Sequence, residues 1–263
     1  MSATEHSLIF TDPSGRKITG ILATPPATTE RLVVLCHGFL SHKNSDTNQG
    51  LTAALTSHGI ATFRFDFFGH AESEGPFERV TVTIALEQAL AALDLVRAKD
   101  FRRLGLIGSS FGGLVALLAA AECGRRHLPL ACLGLKCPVA DFPEQLELEL
   151  GLDGMAQWKA TDTVPDFRGG PGRIKLDYVF YSDSARHSGY TAAKAITTPT
   201  LIVQGDKDEF IPLHQCRGLM DALQTDKRLE LLPGADHRFT KPEDFERMIR
   251  LLVEWMMRYL PPS

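Results

Sequence analysis

Serine, histidine and aspartate together can make an activated nucleophile, and this chain of 263 residues carries all three at places that invite that chemistry. The stretch "LGLIGSSFGGLVALLAAAE" sets Gly108-x-Ser110-x-Gly112 between an apolar run ending at Ile107 and another starting at Leu114. A serine there sits on a turn so sharp that side chains two residues before and after it would clash, and glycine removes both clashes. The spacing selects Ser110, because Ser109 has Ile107 and Phe111 where glycines are needed. A serine oxygen attacks a carbonyl only when a base takes its proton, and an acid must orient that base and stabilise its charged form. His237 ends "GADH" and is the base, while "GDKDE" offers Asp206, Asp208 and Glu209 as acids. Two backbone N–H groups are expected to hold the oxyanion, that of Phe111 at the start of a helix and that of Phe39 in His37-Gly38-Phe39. His37 itself is read as a support for that loop.

These residues share one feature of placement: each follows an apolar run of strand length. The runs are "RLVVLC" (31–36), "IATFRF" (60–65), "RLGLIG" (103–108), "LACLGLKC" (130–137), "PTLIVQG" (199–205) and "KRLELLP" (227–233). Runs without polar alternation mark strands buried on both faces, as in a parallel sheet covered by helices. Helical patterns near 49–58, 81–99, 112–122, 213–223 and 242–260 alternate with them. The fold expected is α/β, a doubly wound, mostly parallel sheet with ligands bound beyond the carboxyl ends of its strands. "SLIF" and "KITGILATP" flank "TDPSG" and read as an antiparallel edge hairpin. Residues 138–190 are too long for a plain connection and are read as a cap inserted after the sixth strand, leaving 1–137 and 191–263 as the core domain. The cap carries "EQLELELGLD", whose period-two leucines read as a solvated amphipathic edge, and a "GGPG" turn at 169–172. It also carries Trp158, Phe167, Tyr178, Phe180, Tyr181 and Tyr190, as core or as pocket walls.

Composition narrows the partners. Hydrophobic residues make up 44% and charged residues 23%, with a formal net charge of -4. That is a globular composition with no basic stripe for nucleic acid or an anionic membrane surface. The longest apolar run, Leu114 to Ala121, is far short of the roughly 20 residues a bilayer needs. "MSATEHSLIFTDPSG" reads as no secretory signal, so a cytoplasmic location is expected. Cys36, Cys123, Cys132, Cys137 and Cys216 are scattered and read as buried free thiols. No histidine pair has metal-ligand spacing, so neither metal nor cofactor is expected. His42, His70, His187 and His214 are read as solvated or capping, and Asp66 and Ser73 as shaping their loop by local hydrogen bonds. The partner expected is a small molecule, with a homodimer left open.

The motifs together resemble the α/β-hydrolase superfamily over nearly the whole chain. "VVLCHGF" is similar to its oxyanion strand, "FDFFGHAESEG" to its D-x-x-G-x-G-x-S-x-G loop, "GSSFGG" to its nucleophile elbow, "GDKDEFIP" to its acid motif and "GADHRF" to its histidine motif. The "DFFGH" stretch, the cap position and "GADH" most resemble the bacterial cinnamoyl and feruloyl esterases. The resemblance puts the acid at Asp208, and the short tether of Asp206 leaves that residue to hold its turn. Those esterases commonly have histidine before and glutamine after the nucleophile, where this chain has Ser109 and Phe111, and Ala71 replaces the second glycine of the loop. The function implied is a serine carboxylic ester hydrolase working through Ser110, His237, Asp208 and an acyl-enzyme, on a small or aromatic acyl ester. The rivals are a peptidase or aminopeptidase, an acyltransferase or thioesterase on the same triad, and a non-catalytic binding protein of this fold.

Overall fold

The computed structural model describes residues 3–167 and 172–262. Eight strands form the central sheet: β1 (Thr4–Thr11), β2 (Lys17–Thr24), β3 (Arg31–Cys36), β4 (Ala61–Phe65), β5 (Arg103–Ser109), β6 (Cys132–Lys136), β9 (Thr200–Gly205) and β10 (Lys227–Leu232). Their order is β1-β2-β4-β3-β5-β6-β9-β10. The β1–β2 hairpin is antiparallel and joins β4 antiparallel, and every later pairing is parallel. The doubly wound, mostly parallel sheet expected from the alternation of runs is therefore present.

Apolar composition decides what covers the sheet. The helix α3 (Phe111–Arg125) buries eleven of its fifteen residues. A helix apolar all round belongs inside. It packs against α2 (Val82–Arg97) on one face of the sheet. The other face is covered by α1 (Asp46–Ser57) and α8 (Pro242–Tyr259). There α8 turns Met248, Leu252, Val253, Trp255 and Met256 inward, and its opposite side is charged. Among the described residues no helix is long and apolar enough to cross a membrane.

After β6 the chain leaves the sheet through α4 (Phe142–Thr161), a small antiparallel pair β7 (Thr163–Phe167) and β8 (Gly172–Lys175), and α5 (Val179–Ser184). It returns through α6 (Gly189–Ala195), which packs on α3 and on α7 (Leu213–Ala222). The leucines of "EQLELELGLD" lie in a helix and not in an extended edge. Asp141 caps α4 through the N–H of Glu144, and Pro143 stands in its first turn, two signals that start a helix. In a helix a two-residue repeat splits across two faces: Leu146 is buried, whereas Leu148 and Leu152 are 64% and 92% exposed. The turn expected at 169–172 falls outside the described residues except for Gly172, the first residue of β8.

Candidate active site

Ser110 joins β5 to α3 with φ 53 and ψ -115, a left-handed conformation unfavourable for a residue with a side chain. The surrounding backbone forces it. A Cβ on Gly108 would lie 2.2 Å from the oxygen of Gly112, and one on Gly112 would lie 2.4 Å from the oxygens of Cys36 and His37. Both glycines are required by close approach, as the spacing implied. The Ser110 N–H donates to Lys136 O at 2.9 Å, but its hydroxyl does not cap the helix it precedes. Ser110 and His237 both line a cleft of about 930 Å³ at the carboxyl ends of the strands.

Asp208 and His237 meet. His237 Nδ1 lies 3.0 and 2.9 Å from the two Asp208 oxygens, and because a carboxylate only accepts, this nitrogen is the donor. Burial works to raise the Asp208 pKa, yet hydrogen bonds from His237 and from the N–H groups of Ile211 and Phe210 outweigh it and hold the carboxyl below the usual range. Asp206 does what a short tether allows: its carboxylate accepts from Gly234 N at 2.7 Å and holds the turn after β10. Asp141 is committed to capping α4.

The loop of Phe39 runs against the serine, where a Cβ on Gly38 would be 3.5 Å from Ser110 Cβ. His37 fixes this loop: Nδ1 donates to Gly38 O at 2.8 Å while Nε2 accepts from Phe67 N at 3.0 Å. Complete burial holds its pKa well below the ordinary histidine value, so it stays neutral and structural. Asp66 is a buried hub rather than a merely local turn residue. It accepts from Lys43 N at 2.7 Å and from Lys43 Nζ at 2.5 Å, and its carbonyl accepts from Ser73 Oγ at 2.7 Å. Ala71 takes φ 42, a conformation glycine would adopt without strain.

One expectation about side chains is corrected, and of the two readings of the cap aromatics the core one holds where their side chains are described. His70 is not solvated; it is 4% exposed, donates from Nδ1 to Phe68 O at 3.0 Å and lies 4.9 Å from the His37 ring. His187 is likewise half-buried against Thr83 Oγ1 at 2.8 Å, whereas His214 pairs with Glu144 at the surface and His42 accepts from Asn44 N. The cap aromatics with described side chains do not wall the cleft. Trp158 donates to Leu176 O at 2.6 Å with Tyr178 and Tyr181 packed on it, and Phe180 is buried against Phe39, Phe111 and Phe142. The cleft takes Val139, Phe142 and Gln145 from that segment, with Phe210 and Ile211 beyond the acid.

Some partners were not foreseen. Glu209 accepts from His237 N at 3.1 Å and Lys136 Nζ donates to His237 O at 2.9 Å, so both backbone groups of the histidine are tied. Gln204 donates to Asp208 at 3.2 Å. A lysine inside "LGLKC" was the visible signal, since charge seldom sits in a buried strand. Among the described residues, one set brings three metal-ligating atoms within 4.8 Å of one another: Cys137, Asp208 and His237. Burial pushes the Cys137 thiol well up, and the two others already pair, so the donor set does not suit a metal.

The model of a family described as the alpha/beta hydrolase family matches residues 33–248. A palmitoyl-protein thioesterase, ABHD10, mitochondrial, of Rattus norvegicus is 25% identical over 223 residues, covering 82% of this chain and 72% of its own length. Among solved structures, a putative hydrolase from Agrobacterium vitis S4 superposes with TM-score 0.84 at 25% identity, covering 97% of this chain and 100% of that one. Est1E from Butyrivibrio proteoclasticus, with ferulic acid bound, gives TM-score 0.82 at 26% identity over the same shares.

Proposed function

The chain belongs to the alpha/beta hydrolase family, and on that footing we propose that it is a serine carboxylic ester hydrolase. The observation that carries the reading is that Ser110, on its strained elbow, and His237, paired with Asp208, line one cleft. His237 Nε2 takes the Ser110 proton as the oxygen attacks the ester carbonyl, and the N–H groups of Phe39 and Phe111 hold the oxyanion. Asp208 keeps the imidazole in its tautomer and stabilises its charged form. His237 then protonates the leaving alcohol, and water, activated by the same nitrogen, frees the acyl group.

A cleft walled by Phe142, Phe210 and Val139 suits a small or aromatic acyl group. The likeness to Est1E with ferulic acid bound supports an aromatic acid, although Phe111 fills the position next to the nucleophile without a hydrogen-bonding group. The likeness to a palmitoyl-protein thioesterase favours a second reading, thioester hydrolysis on the same triad. Two measurements decide these points. A fluorophosphonate probe labels the peptide holding Ser110, Ser110→Ala abolishes labelling and Ser109→Ala keeps it; labelling that survives Ser110→Ala overturns the assignment. A screen of short nitrophenyl esters, hydroxycinnamate esters, acyl thioesters and aminoacyl amides then ranks the classes by kcat/KM.

A further inference from the structure

Among the described residues two lysines are buried, and they differ in their partners. Lys43, 2% exposed, is paired by Asp66 and Glu72. Lys136, 6% exposed, has no carboxylate within ion-pair distance among the described residues. Its Nζ donates to the carbonyl of His237 at 2.9 Å and lies 5.2 Å from the centre of the Phe239 ring. Lysine is rarely buried without a counter-charge, because removing an ammonium from water is costly unless an anion compensates. A carbonyl and a ring face supply only part of that compensation.

The position of Lys136 says where the missing anion belongs. It ends β6 with Ser109 as its register partner, and both line the cleft that holds Ser110 and His237. On the two-residue period of the strand it shares a face with Cys132, which packs under Met256 of α8. This is the face against which α1 and α8 lie. The hydroxyls of Ser41, Thr47 and Ser109 line the same cleft and have no hydrogen-bond partner among the described residues. Arg238 also lines it, and Asp46, in the first turn of α1, is the carboxylate of that wall.

We propose that Lys136 binds a carboxylate of the substrate, so that the ester this protein prefers carries one free carboxylate beside the bond that is cleaved. The inference rests on the ester-hydrolase reading above and deepens it. The carboxylate completes the ion pair that the fold leaves open, and the unpartnered hydroxyls supply its further hydrogen bonds.

The test uses pairs of esters that differ only in charge: monomethyl against dimethyl esters of four- to six-carbon dicarboxylic acids, and O-acetylated hydroxy acids against their methyl esters. The wild-type protein turns over the anionic member of at least one pair with a kcat/KM about tenfold higher, the effect of one charge-assisted hydrogen bond. Lys136→Met brings that ratio to about one, Lys136→Arg keeps part of it and Asp46→Asn raises it. Because Lys136 also holds the His237 carbonyl, both members slow in Lys136→Met. A purely structural role lowers both equally and leaves the ratio unchanged, which overturns the proposal. Calorimetry on Ser110→Ala gives a readout independent of turnover: the anionic ester binds about tenfold more tightly than its neutral partner, and the Lys136→Met change removes the difference. Equal binding in every pair overturns the anion site even if neutral esters are hydrolysed. Preferential binding with no ester turned over by wild type overturns the hydrolase reading and leaves the anion site standing.

Discussion

The two sides of the cleft are built by different means. On the elbow side, each side chain proposed for catalysis is held by backbone that has no alternative: Gly108 and Gly112 admit no Cβ, and His237 is tied through its ring, its N–H and its carbonyl. On the other side, Phe142 and Gln145 are offered by a helix that carries two exposed leucines and bends at Gly151, where φ is 64. On the proposed reading the elbow side fixes what reaction is possible, through local rules of sterics and hydrogen bonding, and the side of α4 adjusts what fits, through packing that tolerates change.

The largest effect expected from breaking the elbow side is at the acid. Asp208→Asn keeps the shape but leaves nothing to stabilise a charged imidazole, and kcat should fall by about four orders of magnitude, as in other triads. Asp206→Asn loses part of an acceptor for Gly234 N, so its effect should be a lowered thermal midpoint, on the order of 1 kcal/mol, with turnover near normal. Measuring kcat and Tm for both variants separates the roles. A large kcat loss in Asp206→Asn with normal turnover in Asp208→Asn reverses them.

The same contrast explains what could be read from sequence. Ser110, Asp208 and His237 stand at strand ends, where apolar runs stop and glycine spacing reports a steric necessity, so the sheet and these positions were legible together. The helix α4 was not. Leu146 to Leu152 alternate as a strand would, and only the capping by Asp141 and the burial of Leu146 with Trp158 show which periodicity won. His70 escaped for a related reason, because no local pattern says that its ring will meet that of His37 from the loop after another strand. Glu209, Gln204 and Lys136 act by contact across loops and strands and carried no spacing signature, although the charge of Lys136 within a buried run was visible.

Trp158→Ala tests whether the two sides are separable. The indole is fully buried in the cap against Leu176, Tyr178 and Tyr181, and its removal should cost about 3–5 kcal/mol of local stability. Limited proteolysis should then cut within residues 142–161, while a small fluorophosphonate still labels Ser110, since nothing holding the elbow passes through Trp158. Loss of labelling in a variant whose core remains folded shows that the cap and the elbow are coupled.

The last effect expected is one of pH, and it sharpens the comparison because titratable groups sit on both sides. Burial holds His37, His70 and His187 below the ordinary histidine pKa, His37 and His70 beside the elbow and His187 where α5 leads out of the cap. An unfolded chain takes up these protons near pH 6.5 while the folded one does not, so each fully buried histidine removes at most about 1.4 kcal/mol per pH unit as pH falls below that point. Asp208 has the opposite sign: its contribution is complete above about pH 4, the unfolded aspartate value, and disappears only as pH falls through its lowered folded pKa. Stability should therefore decline between about pH 6.5 and 5 on the histidines alone, before any carboxylate contributes. The thermal midpoint measured from pH 7.5 to 4.5 checks this, with His70→Phe flattening the slope for the core and His187→Gln delaying proteolysis of the cap at pH 5. A midpoint unchanged down to pH 5 would mean that water reaches His37 and His70, and that the elbow side is less enclosed than its hydrogen bonds imply.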